Sequence, residues 1–258
     1  APMSYYAMLA VVLIPFVGFL ARIVEWLIPE RVSVTTRGAY RLALISPNLP
    51  DALDSNLIKI RHELSQMSSR AIEMLRFVID GAHDPENLDP IRNRLETTEQ
   101  LVDDMQEAIT AFLSSSLRQP ISEDQAGYIH ASQRIAHEIE GISDACFSIG
   151  LLLHKLHRKG RHFHSDGQKE LSSYADQVMQ FLAYNNSLLE RTTEEPDLET
   201  AQAMEDGIDK VRKRLRKRSR KSMERDVATD VRGELIFIDV IRHLEHIGDH
   251  SLNISEAV

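Results

Sequence analysis

Four times in this chain a glutamate is followed four residues later by an aspartate: Glu99/Asp103, Glu140/Asp144, Glu205/Asp209 and Glu245/Asp249. Composition alone predicts about 1.5 such pairs, so the recurrence needs a reason. On a helix the two carboxylates of a pair stack on one face, where like charges cost ~0.2–0.5 kcal/mol per pair. A multivalent cation offsets that repulsion. Carboxylate oxygens with an occasional imidazole suit iron, zinc, manganese or magnesium. Solvated acids, or acids paired with Arg and Lys, are the plainer alternative.

The pairs recur in register, 106 residues apart from Glu99 to Glu205 and 105 apart from Glu140 to Glu245. Each Glu follows a position of an apolar stripe (Thr98, Ile139, Met204, Leu244), which puts the acids on the shoulder of a helix rather than in its core. Two such shoulders side by side would gather four carboxylates on one surface.

The elements that must hold them read as helices. Gly/Pro/Asp/Ser clusters at "DGAHDPENLDP", "RQPISED", "RKGRHFHSDG", "TTEEPD" and "RDVATD" divide the chain into six, at roughly 51–80, 87–117, 122–158, 166–190, 197–225 and 228–258. Asp84, Ser122 and Ser165 are the N-caps expected from these breaks. Ile91, Leu95, Thr98, Val102, Met105, Ile109 and Phe112 keep a 4-3 spacing on the second helix. Ile135, Ile139, Ile142, Cys146, Ile149, Leu153 and Leu156 do so on the third. The expected fold is all-α: two tandem antiparallel three-helix bundles, 51–160 and 161–258, related by duplication.

Ahead of them lies a different kind of sequence. Tyr5 to Ala21 carries no charge, and with "RIVEWLIPE" the apolar segment is long enough to cross a ~30 Å hydrocarbon core. A signal peptide would want a basic start and a small-residue cleavage site, and a buried core helix fits Pro15, Tyr5 and Tyr6 less well. Residues 1–30 therefore read as a transmembrane helix, the last of several in a longer chain, and 31–50, with Pro47 and Pro50, as an extended linker. Arg31, Arg37 and Arg41 place the helices that follow on the cytoplasmic side of an inner membrane. The formal net charge of −9 argues against nucleic acid as a partner, and the single cysteine, Cys146, against a disulfide framework.

His246 and His250 are four residues apart beside the last acid pair, and His250 could join its cluster. His130, His137, His154, His157, His162 and His164 read as surface or capping residues. From Arg212 to Arg225 the chain is dominated by cations: Arg212, Lys213, Arg214, Arg216, Lys217, Arg218, Arg220, Lys221 and Arg225. A solvated helix face is the ordinary reading. The run could instead meet the inner-membrane surface, an acidic partner, or a second copy of the chain in a dimer.

"LEHIGDHSLNISE" (Leu244 to Glu256) and "MEDGIDKVRKRL" (Met204 to Leu215) resemble the third- and second-helix signatures of PhoU domains, and "IEGISDACFSIG" matches more loosely. The resemblance covers about residues 51–258, and its specific part is the last third. It implies paired three-helix bundles whose acidic motifs hold iron or zinc clusters. Glu205, Asp209, Glu245, Asp249 and His250 would serve the second bundle, and Glu99, Asp103, Glu140 and Asp144 the first. In the first repeat Ser143, Ala145 and Ser148 stand where the motif has Gly, His and Asn, which favours the second bundle.

A hydrophobic helix ahead of such a domain is similar to bacterial sodium/phosphate cotransporters with a cytoplasmic PhoU-like domain. That resemblance implies a regulatory module modulating phosphate transport and homeostasis, with the transport domain of the same polypeptide and phosphate-sensing proteins as partners. A stand-alone membrane-tethered phosphate-signalling adaptor without metal is the alternative. A carboxylate di-metal oxidase is remote, because no Glu-x-x-His accompanies the acid pairs and no enzyme activity is expected.

Overall fold

A computed structural model describes residues 40–43, 52–84, 87–191, 196–225 and 229–258. Among the described residues six helices appear in order: α1 (Ala52–His83), α2 (Leu88–Ser116), α3 (Glu123–Arg158), α4 (Gly167–Glu190), α5 (Leu198–Arg225) and α6 (Val231–Ala257). Among the described residues there is no strand, and no helix is long and apolar enough to cross a membrane. The transmembrane reading of 1–30 lies outside the described residues, as does most of the 31–50 linker.

Local chemistry sets the helix ends. Ser122 opens α3 with a capping box: its hydroxyl accepts from the Gln125 backbone N–H, and the Gln125 side chain accepts from the Ser122 N–H. Asp230 caps α6 by accepting from the Gly233 N–H at 3.1 Å. The caps of α2 and α4 are Asn87 and Asp166, not the expected Asp84 and Ser165, and neither side chain bonds the helix. Helix α3 closes on Gly160 at φ 56°. There Gly160 N–H donates to His157 O and Arg161 N–H to Leu156 O, both at 2.9 Å. That left-handed cap suits a residue without a Cβ.

Within each set of three every helix packs on the other two. The sets are not separate, however. Helix α3 lies along α6 and α1 along α4, so α1, α3, α4 and α6 make a central layer, with α2 and α5 outside it. One hydrophobic cluster runs through all six helices, with Met74, Leu95, Ile139, Tyr174, Phe181 and Phe237 fully buried. Burying side chains of this size stabilises the fold by about 1.5–3 kcal/mol each. The expected stripes supply it, although Thr98, Phe112 and Leu156 are only half-buried. Cys146 is buried in the same core, and burial pushes its thiol up.

Tyr40–Val258 is one compact unit and holds this whole core. At its start Tyr40 packs against the core and donates its hydroxyl to Glu63, while Lys59 Nζ donates to Ala43 O at 2.8 Å. Residues 40–43 are therefore docked on α1, which the reading of 31–50 as a plain linker did not anticipate.

Candidate functional site: two carboxylate shoulders

In the first bundle the shoulder of α2 meets that of α3. Carboxylate oxygens of Glu99, Asp103 and Asp144 all lie within 4.8 Å of one another. Glu99 and Asp103 are half-buried and Asp144 is exposed, so a cation could be reached from solvent. The fourth acid, Glu140, stands beside this group with His137 Nδ1 at 3.5 Å. Burial, then the charge of Asp144, raises its carboxyl above the ordinary Glu range. Three hard oxygen donors converging from two rigid helices fit a divalent or trivalent cation.

The second bundle repeats the acids on α5 and α6 but adds a cation of its own. Arg212 Nη2 donates to Asp209 Oδ1 at 2.6 Å, and its Nε lies 3.1 Å from Glu245 Oε1. Lys213 Nζ also bonds Asp209. The Lys213 bond, followed by that from Arg212, holds the Asp209 carboxyl below its usual range. Glu205, Glu245 and Asp249 are raised, each chiefly by burial. At Glu245 desolvation thus outweighs the pull of Arg212. The Tyr174 hydroxyl is fully buried beneath this cluster, without a hydrogen-bond partner among the described residues. Burial and the nearby Glu245 charge keep it protonated.

The preference for the second bundle as the metal site therefore meets a physical obstacle. Where that bundle has Arg212 and Lys213, the repeat places Gln106 and Glu107 in the first. A guanidinium between Asp209 and Glu245 already supplies the positive charge that a metal would bring. Glu99, Asp103 and Asp144, which converge within 4.8 Å of one another, are the better fit to an ion.

His250, expected beside Asp249 as a ligand, is engaged elsewhere. Its Nδ1 lies 2.7 Å from Glu138 Oε2 across the α3–α6 contact, and Asn253 Nδ2 donates to the same oxygen at 3.1 Å. Arg134 extends the bridge to Asn253 at 3.3 Å and to Glu256 at 2.9 Å. The imidazole lies so close to α3 that a Cβ on Gly141 would fall 2.5 Å from its Cε1. The motif's His and Asn thus join the two bundles. Ala145 and Ser148 stand in their places in the first repeat.

Sequence reasoning missed Arg212 as a counter-ion, Glu138 as an acceptor and Tyr174 altogether. Aligning the repeats residue by residue would have exposed the change from Gln106 to Arg212. The side chain of His164, expected at the surface, is 8% exposed and lies between two acids: Nδ1 is 3.1 Å from Glu234 Oε1 and Nε2 3.0 Å from Glu170 Oε2. Ser219 Oγ donates to the same Glu234 at 2.6 Å.

Comparison with known proteins bears on this geometry. Residues 172–258 match the PhoU domain family. The phosphate-specific transport system accessory protein PhoU homolog of Synechocystis is 29% identical over 177 residues, 64% of this chain and 75% of that protein. The crystal structure of PhoU from Pseudomonas aeruginosa superimposes with a TM-score of 0.69 at 19% identity, covering 80% of this chain and 96% of that one. The phosphate transport system regulatory protein PhoU from Streptococcus pneumoniae does so with a TM-score of 0.67 at 15% identity, covering 80% and 94%. At those identities the two structures show the fold alone. The chain carries a PhoU-like domain, whose sequence match lies in the second bundle and whose fold extends over both.

Proposed function

We propose that this chain is a regulatory module of phosphate transport, acting through partner surfaces rather than by catalysis. The observation that carries the reading is the match of 172–258 to the PhoU domain on a fold similar to PhoU over 80% of the chain. The uncharged stretch Tyr5 to Ala21 supports attachment to a membrane, in the manner of a sodium/phosphate cotransporter with the helices on its cytoplasmic side. Phosphate uptake in cells carrying the full-length protein of which these residues are part, compared with a version stopped at the linker, tests this. Uptake that responds to external phosphate only with the helices present is expected, and identical uptake would refute it.

The metal belongs to the same proposal but to the first bundle. Glu99, Asp103 and Asp144 would hold the ion, with Glu140 beside them. A bound cation would neutralise this shoulder and tie α2 to α3. An adaptor without metal is the second reading, and the Arg212 bridge favours it for the second bundle.

A further inference from the structure

The basic run of α5 sorts into two groups. Arg212 and Lys213 are held by Asp209, and Arg218 reaches Asp166 at 2.5 Å and also bonds Glu170. Arg220 faces Glu224 at 3.7 Å. Arg214, Arg216, Lys217 and Lys221 are exposed and make no salt bridge with another described residue. The fold does not demand them. The repeat counterpart, residues 106–119, covers the end of α2 and the turn after it and reads "QEAITAFLSSSLRQ", with Arg118 as its one cation.

A second feature lies next to them. Ser219 Oγ bonds Glu234 at 2.6 Å and Ser222 Oγ lies 3.3 Å from Thr229 Oγ1, which sets the start of α6 beside this half of α5. There Val231 and Leu235 are 49% and 52% exposed, two of the five large hydrophobic residues that face solvent among the described ones. At 100° per residue Arg216, Arg220, Lys217, Lys221 and Arg214 fan around the outward side of α5, opposite the buried Val211 and Leu215. Helix α5 packs only on α4 and α6, so that side is uncovered by the rest of the described chain.

We infer that the basic half of α5 and the first turns of α6 form a docking surface for an anionic lipid bilayer. Cations on a broad convex face, flanked by exposed apolar side chains, match a charged interface with a hydrocarbon layer beneath it. An acidic protein would meet the same cations, and the vesicle experiment below separates it from a bilayer. The formal net charge of the whole sequence is −9, so a cluster of cations on one side of α5 runs against the balance of the chain and favours turning that side toward an anionic surface. The inference rests on the proposed function only for the nearness of a membrane.

Residues 40–258, which hold the whole core, are sedimented with vesicles of phosphatidylcholine containing phosphatidylglycerol and with phosphatidylcholine alone. Binding to the anionic vesicles only, weakened by salt, is expected. The R216E/K217E/K221E variant, shown by circular dichroism to be helical, should bind at least about tenfold more weakly. The V231S/L235S variant should bind several-fold more weakly. No binding to anionic vesicles, or equal binding by the charge-reversed variant, would overturn the inference. So would binding to polyglutamate without binding to vesicles, which would assign the face to an acidic protein. Phosphate-responsive uptake by the full-length protein without vesicle binding would retire the docking surface and keep the regulator. Vesicle binding with unresponsive uptake would do the reverse.

Discussion

The two bundles carry the same four acids in the same register and treat them differently. In the first, Glu99, Asp103 and Asp144 converge with a glutamine and a glutamate one turn on. In the second, Arg212 and Lys213 occupy those two positions and bind Asp209, while Arg212 also reaches Glu245. The ladder of carboxylates that costs a helix stability has thus been offset in two ways: internally by a guanidinium, and in our proposal externally by an ion. A shared motif therefore does not mean a shared ligand. What surrounds the acids decides, and that can differ between two halves of one chain.

The largest effect expected from this contrast is on metal affinity. E99A/D103A should weaken divalent or trivalent metal binding by about 100-fold or more, since ligand loss exceeds the 10–100-fold of outer-shell changes. E205A/D209A should leave it within a few-fold, read by calorimetric titration. The reverse pattern would return the site to the second bundle.

R212Q, which gives the second bundle the first bundle's residue, should break the asymmetry. It leaves Asp209 and Glu245 without their shared partner and costs about 1–2 kcal/mol in urea unfolding, modest because Arg212 is partly solvated. The cost depends on pH. Asp209 is held low, so its contribution is present above the ordinary Asp range and lost as pH falls through the folded value. Glu205, Glu245 and Asp249 are held high, so their contribution is fully present below the ordinary carboxylate range and is lost as pH rises through their raised values. The gap between R212Q and the parent should therefore be widest at neutral pH and narrow on acidification. A constant gap would remove Arg212 from the account.

Two smaller effects concern the scaffold that keeps the bundles in register. H250A leaves Glu138, itself only 9% exposed, with Asn253 as its remaining partner and should cost about 1 kcal/mol, with exchange protection falling first along α3 and α6. Gly160→Ala places a Cβ at positive φ and should cost about 1 kcal/mol or slightly less in the same unfolding assay. An unchanged midpoint would show that the cap is not needed there.

The six helices were legible because apolar spacing and breakers are local: Ile135 to Leu153 reads as one buried face, and Ser122 as a start. The joining of the bundles into one body was not legible, because Glu138, Gly141 and His250 meet only after folding. The acid pairs themselves stood out by recurrence. Their fates did not, because a cation on the same helix looks like part of a solvated basic run until its rotamer is seen. Arg212 belongs to that run by sequence and to the acid cluster by contact. His164 shows the same limit, since a histidine in a basic turn gave no sign of its place between Glu170 and Glu234.

The most direct test of the two-fold use of these acids is a crystal of residues 40–258 soaked in manganese and examined by anomalous scattering. A single peak among Glu99, Asp103 and Asp144, with Arg212 still bridging Asp209 and Glu245, is the predicted result. A peak among Glu205, Asp209, Glu245 and Asp249, with Arg212 displaced, would contradict it.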